Sequence, residues 1–394
     1  MATDLDRILR YADQVVPRQD LERKLAEGRP LRVKLGVDPT APAVTLGWAV
    51  VLRKLRQFQD LGHTAVLIIG DFTARVGDPS ERDATRKRLS AEEVNRYSEA
   101  VLGQFRHVLS DENLEIRRNS EWLEALDMEG MLELTSSATV AQMLERADFA
   151  KRYESGAPIS VMEFLYPLLQ GYDSVAVEAD IELGGSDQLW NLMVGRTVQE
   201  RFGQSPQVAL TVPLLVGTDG VQKMSQSLGN YIGVEEEPRE MFGKTMSIPD
   251  ELMGQWFRLA ADLEPEEVEG IEAALASGDL HPAEAKRRLA REIVTLYHGA
   301  EAAEAAEREF DEVFRKGGTP EEIPIVRVPD EDPVSVPSLL RDVFGISGAE
   351  ARRLIDQGAV TLDGEMLREY EAPRTALTGM TLRAGKRRFV RLSD

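Results

Sequence analysis

Tyr166, Gln170 and Asp173 fall at i, i+4 and i+7 of a stretch otherwise apolar at Phe164, Leu165, Leu168 and Leu169, which places a phenol, an amide and a carboxylate on one helical stripe. Such a stripe is either a solvated face or the lining of a pocket for a polar small molecule, with the amide and carboxylate open to an ammonium or a hydroxyl. Pro167 is tolerated there if it lies early in the helix. Three further segments combine turn glycines with polar side chains. Gly36-Val37-Asp38-Pro39-Thr40 runs through Thr45-Leu46-Gly47-Trp48 into a helix; glycine lets a ligand approach the backbone, and a helix start offers free N–H groups to an anion. Gly70-Asp71 and Gly77-Asp78-Pro79-Ser80 precede Arg82 and Arg86, two cations at i and i+4. Gly184-Gly185-Ser186-Asp187-Gln188 ends a strand in a double glycine before a helix. Each segment alone is equally a turn capped by Asp or Ser, a reading that weakens when four accompany one sheet. A fifth, Asp219 to Asn230 with Lys223, Met224, Ser225, Gln226 and Ser227, is a mobile phosphate-binding lid or a surface turn.

The elements that must position these residues follow from periodicity. Short apolar runs at Leu31 to Val37, Val66 to Ile69, Ile116 to Arg118 and Val208 to Leu210 alternate with amphipathic stretches, one of which places Trp48, Val51, Leu52, Leu55 and Phe58 on a single face. This is the pattern of an α/β, doubly wound parallel sheet of Rossmann-like type, with its ligand site at the carboxyl ends of the strands. The expected divisions are a catalytic domain over 1–247, a helical domain over 248–317, a proline-rich linker over 318–337 and a small α+β module over 338–394. The linker rests on prolines at 320, 324, 329, 333 and 337, too many for a helix or a central strand.

Composition narrows the chemistry. The 394 residues include no cysteine and four histidines, and 47 Lys and Arg stand against 68 Asp and Glu, net −21. Disulfides, thiol nucleophiles and zinc ribbons are excluded, and a protein-bound structural metal is not expected. Taken whole, the charge argues against a nucleic-acid coat. Residues 338–394 are the exception, with ten Lys or Arg against eight Asp or Glu, leaving 37 against 60 for the rest. Arg352, Arg353, Arg383, Lys386, Arg387, Arg388 and Arg391 could meet a phosphate backbone, or could guard the edge of a hairpin. With no apolar run near the ~20 residues of a membrane span and no signal-peptide pattern at the start, the expectation is a soluble, cytoplasmic protein.

In this order and spacing, the segments resemble the bacterial-type tyrosyl-tRNA synthetases, class I aminoacyl-tRNA synthetases, over essentially the whole chain. The resemblance includes a helical anticodon-binding part from Ala285-Lys286-Arg287-Arg288-Leu289-Ala290 to Tyr297-His298-Gly299 and an RNA-binding tail. It implies ATP as substrate together with Mg²⁺, L-tyrosine and tRNA(Tyr) as partners, and a homodimer. By it, Asp173 accepts the phenolic hydroxyl of tyrosine, Tyr166, Gln170 and Asp78 hold its ammonium, and Gln188 faces its carboxylate. Lys34 joins the tyrosine set where another branch of the family has a tyrosine, which leaves the second partner of the phenol open. Asp187 and Gly36 meet the ribose. Asp38 and Thr40 border the phosphates, with Gly47, Gly185, Met224, Ser225 and Ser227 alongside, and Arg82, Arg86 and Lys223 match mobile cations for pyrophosphate. A carboxylate facing the hydroxyl rejects phenylalanine, which would leave it unpaired.

Three departures from the family pattern cluster on ATP. Its His-Ile-Gly-His signature reads Thr45-Leu46-Gly47-Trp48, and its Lys-Met-Ser-Lys-Ser signature carries Gln226 for the second lysine. A hydrogen bond to a charged group contributes ~1.5–3 kcal/mol, so three uncompensated losses would slow activation by roughly three to six orders of magnitude. Thr45 can still donate a hydroxyl, Gln226 an amide and Trp48 an indole N–H, so a weakened or rearranged ATP site is expected. The leading reading is a tyrosine–tRNA ligase. The alternative is a non-enzymatic or diverted paralogue, an amino-acid- or RNA-binding protein whose Trp48 fills adenine space. A dehydrogenase fails for want of Gly-x-Gly-x-x-Gly after the first strand.

Overall fold

Apolar runs long enough to be buried on both faces pair side by side as the strands of a parallel sheet. The computed structural model describes residues 3–78, 89–315, 324–385 and 388–394. The main sheet comprises β1 (Gln14–Val16), β2 (Arg32–Val37), β3 (Thr64–Ile69), β4 (Leu114–Arg118), β5 (Ile181–Gly185) and β6 (Val208–Val212), in the order β1-β6-β5-β2-β3-β4. β2 to β6 are parallel, and β1 runs antiparallel along β6. The chain leaves β2 through β3 and β4, then returns to β5 on the other side of β2. The order therefore reverses between β2 and β5, where a doubly wound sheet opens a crevice at its carboxyl ends. The expected strands are present; β1, three residues at a half-exposed edge, is too short for periodicity to reveal.

The Leu46–Asp60 helix buries Leu52, Leu55 and Phe58 as expected, with Trp48 and Val51 only half-buried. Lys54 is buried instead, its Nζ donating to the carbonyls of Ile8 and Arg10 and to Gln57 Oε1. The Val161–Ala176 helix starts on a reciprocal Ser160–Glu163 capping box. Pro167 is its seventh residue, not an early one, so the Glu163 carbonyl loses its usual N–H partner. That helix lies close against the Leu189–Arg201 helix. A Cβ at Gly171 would sit 2.8 Å from Val198 Cγ2 and 3.2 Å from the Gly195 Cα, so glycine is what lets the two helices approach and carries Asp173 inward.

The described residues divide into two compact units, Met1–Ala303 and Glu304–Asp394. The boundary expected at 247/248 falls inside the first. Helices Met253–Leu259, Pro265–Ser277 and Pro282–His298 pack within it, and Arg53 donates to the Tyr297 hydroxyl and the Leu259 carbonyl. The second unit holds β7 (Ile325–Arg327), β8 (Val334–Ser335), β9 (Val360–Leu362), β10 (Glu365–Met366), β11 (Glu371–Ala372), β12 (Thr381–Ala384) and β13 (Arg388–Ser393). Five of these form a sheet of order β10-β9-β12-β13-β7, and β8 pairs with β11. The linker expected over 318–337 is corrected in its described part, which holds β7, β8 and the start of the Val336–Phe344 helix. β7 is an edge strand along β13, and Val328 and Val334 are in the module's core. Pro324, Pro329 and Pro333 flank short strands and Pro337 opens the Val336–Phe344 helix, which composition alone does not distinguish from a linker. Residues 318–323 lie outside the described residues.

Candidate active site

The crevice at the carboxyl ends of the strands collects carboxylates. Asp38, just after β2, accepts from Thr73 Oγ1 at 2.7 Å and from the Tyr166 hydroxyl at 3.0 Å. Burial pushes its carboxyl up to about 7; the neighbouring Asp78 and Asp173 add to this, while the bonds from Thr73 and Tyr166 oppose it. Gly70 makes room for it, since a Cβ there would lie 1.9 Å from Asp38 Oδ1. Asp173 accepts from Trp122 Nε1 at 2.8 Å and from Asn119 Nδ2 at 3.2 Å. Burial raises it to about 6, and the charge of Lys34 and those two bonds limit the rise. Gln188 Nε2 donates to Asp78 at 3.0 Å. Mutually repelling carboxylates in one crevice favour a cationic ligand.

Beneath this pocket lies a second charged layer. Lys34 and Glu182 are fully buried, and Lys34 Nζ meets Glu182 Oε1 at 2.8 Å, the Gln170 carbonyl at 2.8 Å and Ser174 Oγ at 2.7 Å. An ammonium has three donors, and each has its acceptor here. Lys34 therefore supports the pocket floor rather than presenting a hydrogen to a ligand. Glu182 also accepts from Gln170 Nε2 at 3.1 Å and from Gln207 Nε2. That fixes the Gln170 amide and leaves its Oε1 as the group to offer a ligand.

A second part of the site is assembled from two stretches distant in sequence. The Asp219–Asn230 loop is organised by Asn230, whose Oδ1 accepts from the Ser225 N–H at 2.8 Å and whose Nδ2 reaches Asp219 Oδ2 at 3.0 Å and the Lys223 carbonyl at 3.2 Å. It rests on the start of the Leu46–Asp60 helix. The Gly47 N–H points at Met224 Sδ at 3.3 Å, and the Leu46 N–H donates to the Ile232 carbonyl at 2.9 Å. Lys223 Nζ meets Asp187 Oδ2 at 2.8 Å, and Ser225 and Ser227 share a hydrogen bond. At the three departures the side chains have protein partners. Thr45 Oγ1 caps the helix by accepting from the Trp48 N–H at 3.3 Å. The Trp48 ring stacks on Phe105, with centroids 6.3 Å apart and planes at 27°. Gln226 pairs with the backbone of Ala43. Gly36 is exposed, with open space where a Cβ would stand; Thr40 follows β2 by three residues and Gly185 is the last residue of β5. Arg82 and Arg86 lie outside the described residues.

In the C-terminal unit Arg352 and Arg353 are exposed on the Gly348–Asp356 helix. Arg383 stacks over Phe389 and Arg388 pairs with Glu350 at 3.0 Å; Lys386 and Arg387 lie outside the described residues. The edge-guarding explanation does not apply, because β12 has β9 and β13 has β7 as an outer neighbour. Sequence reasoning missed Thr73, Asn119, Trp122, Ser174, Glu182 and Gln207. Asn119 was findable as the polar residue directly after the Ile116 to Arg118 strand. Glu182 carried no signal beyond a charge inside an apolar run.

Residues 26–315 match the family of tRNA synthetases class I (W and Y). The chain is 51% identical to the tyrosine–tRNA ligase of Moorella thermoacetica, over 100% of this chain and 96% of that one. It is 48% identical to the corresponding ligase of Oleidesulfovibrio alaskensis, covering 100% and 99%. Among solved structures, tyrosyl-tRNA synthetase from Archaeoglobus fulgidus complexed with L-tyrosine aligns with a TM-score of 0.63 at 25% identity, over 77% of this chain and 98% of that chain.

Proposed function

Because the chain belongs to the class I tRNA synthetases and is a tyrosine–tRNA ligase, we propose that the Asp173 pocket takes L-tyrosine and that the 45–47 segment, with Lys223, Met224, Ser225 and Ser227, takes ATP. In the first step a tyrosine carboxylate oxygen attacks the α-phosphorus, the bond to the bridging oxygen of the β-phosphate breaks, and pyrophosphate leaves. A hydroxyl at the 3′ end of tRNA then attacks the acyl carbon and AMP departs. The first step needs no general base from the protein, so positioning and charge stabilisation carry it. Asp173 accepts the phenol hydrogen. Asp78, Tyr166 and the Gln170 Oε1 receive the ammonium, and Gln188 faces the carboxylate. Asp187 and Gly36 take the ribose, Asp38 and Thr40 border the phosphates, and Lys223, Arg82 and Arg86 answer the pyrophosphate. Mg²⁺ would enter with the ATP that carries it and would offset the charge of the phosphates.

The observation that carries this reading is the buried Asp173 carboxylate, held by Trp122 and Asn119 in a crevice lined by Asp38 and Tyr166. The test is amino-acid discrimination in pyrophosphate exchange. Asp173→Asn should lower the preference for tyrosine over phenylalanine by roughly 10- to 100-fold, the worth of one charged hydrogen bond. An unchanged preference removes Asp173 from the phenol.

The partners extend the same reading. We assign tRNA(Tyr) to the helices of 248–317 and to the Arg352 and Arg353 face of the C-terminal module. Exposed apolar side chains at Met128, Leu132, Val140, Tyr153 and Val161, each at least 63% exposed, support a homodimer in which a second copy covers them. No helix among the described residues is long and apolar enough to cross a membrane, and we place the enzyme in the cytoplasm with its tRNA.

A further inference from the structure

Gln226 makes a contact that no lysine could make. Its Nε2 donates to the Ala43 carbonyl at 2.5 Å, and its Oε1 accepts from the Ala43 N–H at 3.3 Å. The carboxamide thus pairs with one residue's backbone in both directions, as a neighbouring strand would. An ammonium has no acceptor to offer the Ala43 N–H. Around this pair, the Val234 N–H donates to the Val44 carbonyl at 2.8 Å and the Leu46 N–H to the Ile232 carbonyl at 2.9 Å. The Val44 N–H is held separately by Gln104 Oε1 at 2.6 Å. Gln226 therefore ties the Asp219–Asn230 loop to the segment leading into the helix, beside the contact of Met224 with Gly47.

We propose that Gln226 is a positioning residue rather than a phosphate ligand: it latches the Asp219–Asn230 loop onto Ala43 before ATP binds. Ordering a loop costs conformational entropy that nucleotide binding would otherwise have to supply. A latch raises the fraction of enzyme already in the binding-competent arrangement, and apparent affinity scales with that fraction. It also keeps Met224 against Gly47, with Lys223, Ser225 and Ser227 on the same loop, without placing a cation at 226. The residue that departs from the family pattern then acts on how readily ATP binds, not on the charge that develops at phosphorus.

Hydrogen–deuterium exchange of the nucleotide-free full-length enzyme tests this, with Gln226→Ala and Gln226→Lys beside the native chain. In both variants the Ala43 amide should exchange roughly tenfold faster or more while the Val44 amide keeps its protection. In tyrosine-dependent pyrophosphate exchange, Gln226→Ala should raise the KM for ATP about tenfold and leave kcat within about threefold. Unchanged Ala43 exchange, or an unchanged KM for ATP, overturns the latch. So does a fall in kcat at constant KM that Gln226→Lys restores, which would make residue 226 a phosphate contact. The amide measurement needs no catalysis, so it separates failure of the latch from failure of the nucleotide assignment.

Discussion

The two halves of the crevice are built on opposite principles. At the end proposed for tyrosine, charge is taken out of water: Asp173, Lys34 and Glu182 are buried, and each is held by named donors or acceptors. At the end proposed for the nucleotide, positions 45, 48 and 226, where the resemblance leads one to expect two histidines and a lysine, are neutral and turn to the protein itself. A hydroxyl caps a helix, an indole stacks, and an amide pairs with backbone. Under the proposed assignment, the difference follows from what each half would bind. A single phenol is told from a phenyl ring only by a fixed, desolvated polar group. A triphosphate spreads its charge over many oxygens, so several donors share the work and losing one at a given position can be offset by geometry.

The largest effect expected from this contrast is on stability. Lys34→Met leaves Glu182 charged and buried without its partner, and should cost about 3–5 kcal/mol in denaturant unfolding. Adding Glu182→Gln should return most of that, because the pair rather than either charge is what the fold accommodates. Equal losses in the single and double variants would mean that volume, not charge, decides the floor of the tyrosine pocket.

A smaller effect lies in pH. Asp173 is raised to about 6 from an ordinary 3.8, so its contribution to stability is full below pH 3.8 and is lost as pH rises through about 6. Relative to Asp173→Asn, the native chain should lose roughly 2–3 kcal/mol between pH 4 and pH 7.5 in the absence of tyrosine. A difference that stays flat over this window would place the Asp173 carboxylate in water.

The smallest effect belongs to the nucleotide end. Thr45→Ala removes a helix cap and should cost about 1 kcal/mol by thermal unfolding. A loss as large as that of Lys34→Met would erase the contrast between the two halves.

Much of this arrangement was legible in the sequence, for physical reasons. Strands buried on both faces read as continuous apolar runs, and polar residues after them mark the ligand end of a parallel sheet; Asp38, Asp78, Gln188 and Asp187 were found in that way. Lys34 and Glu182 sit inside such runs, where periodicity reports a strand but not that its two charges meet across β2 and β5. Gln226 and Ala43 are 183 residues apart, so no local pattern pairs them. The proline-rich stretch was misread because composition does not show which prolines flank a strand and which interrupt one.

Under the proposed assignment, tyrosine is activated with Thr45, Trp48 and Gln226 in place where the resemblance leads one to expect two histidines and a lysine. Tyrosine-dependent exchange of labelled pyrophosphate into ATP measures this directly, with the native chain beside Thr45→His plus Trp48→His. The native chain should exchange at a kcat within about tenfold of the double variant. No exchange by the native chain, with recovery in the variant, would contradict this.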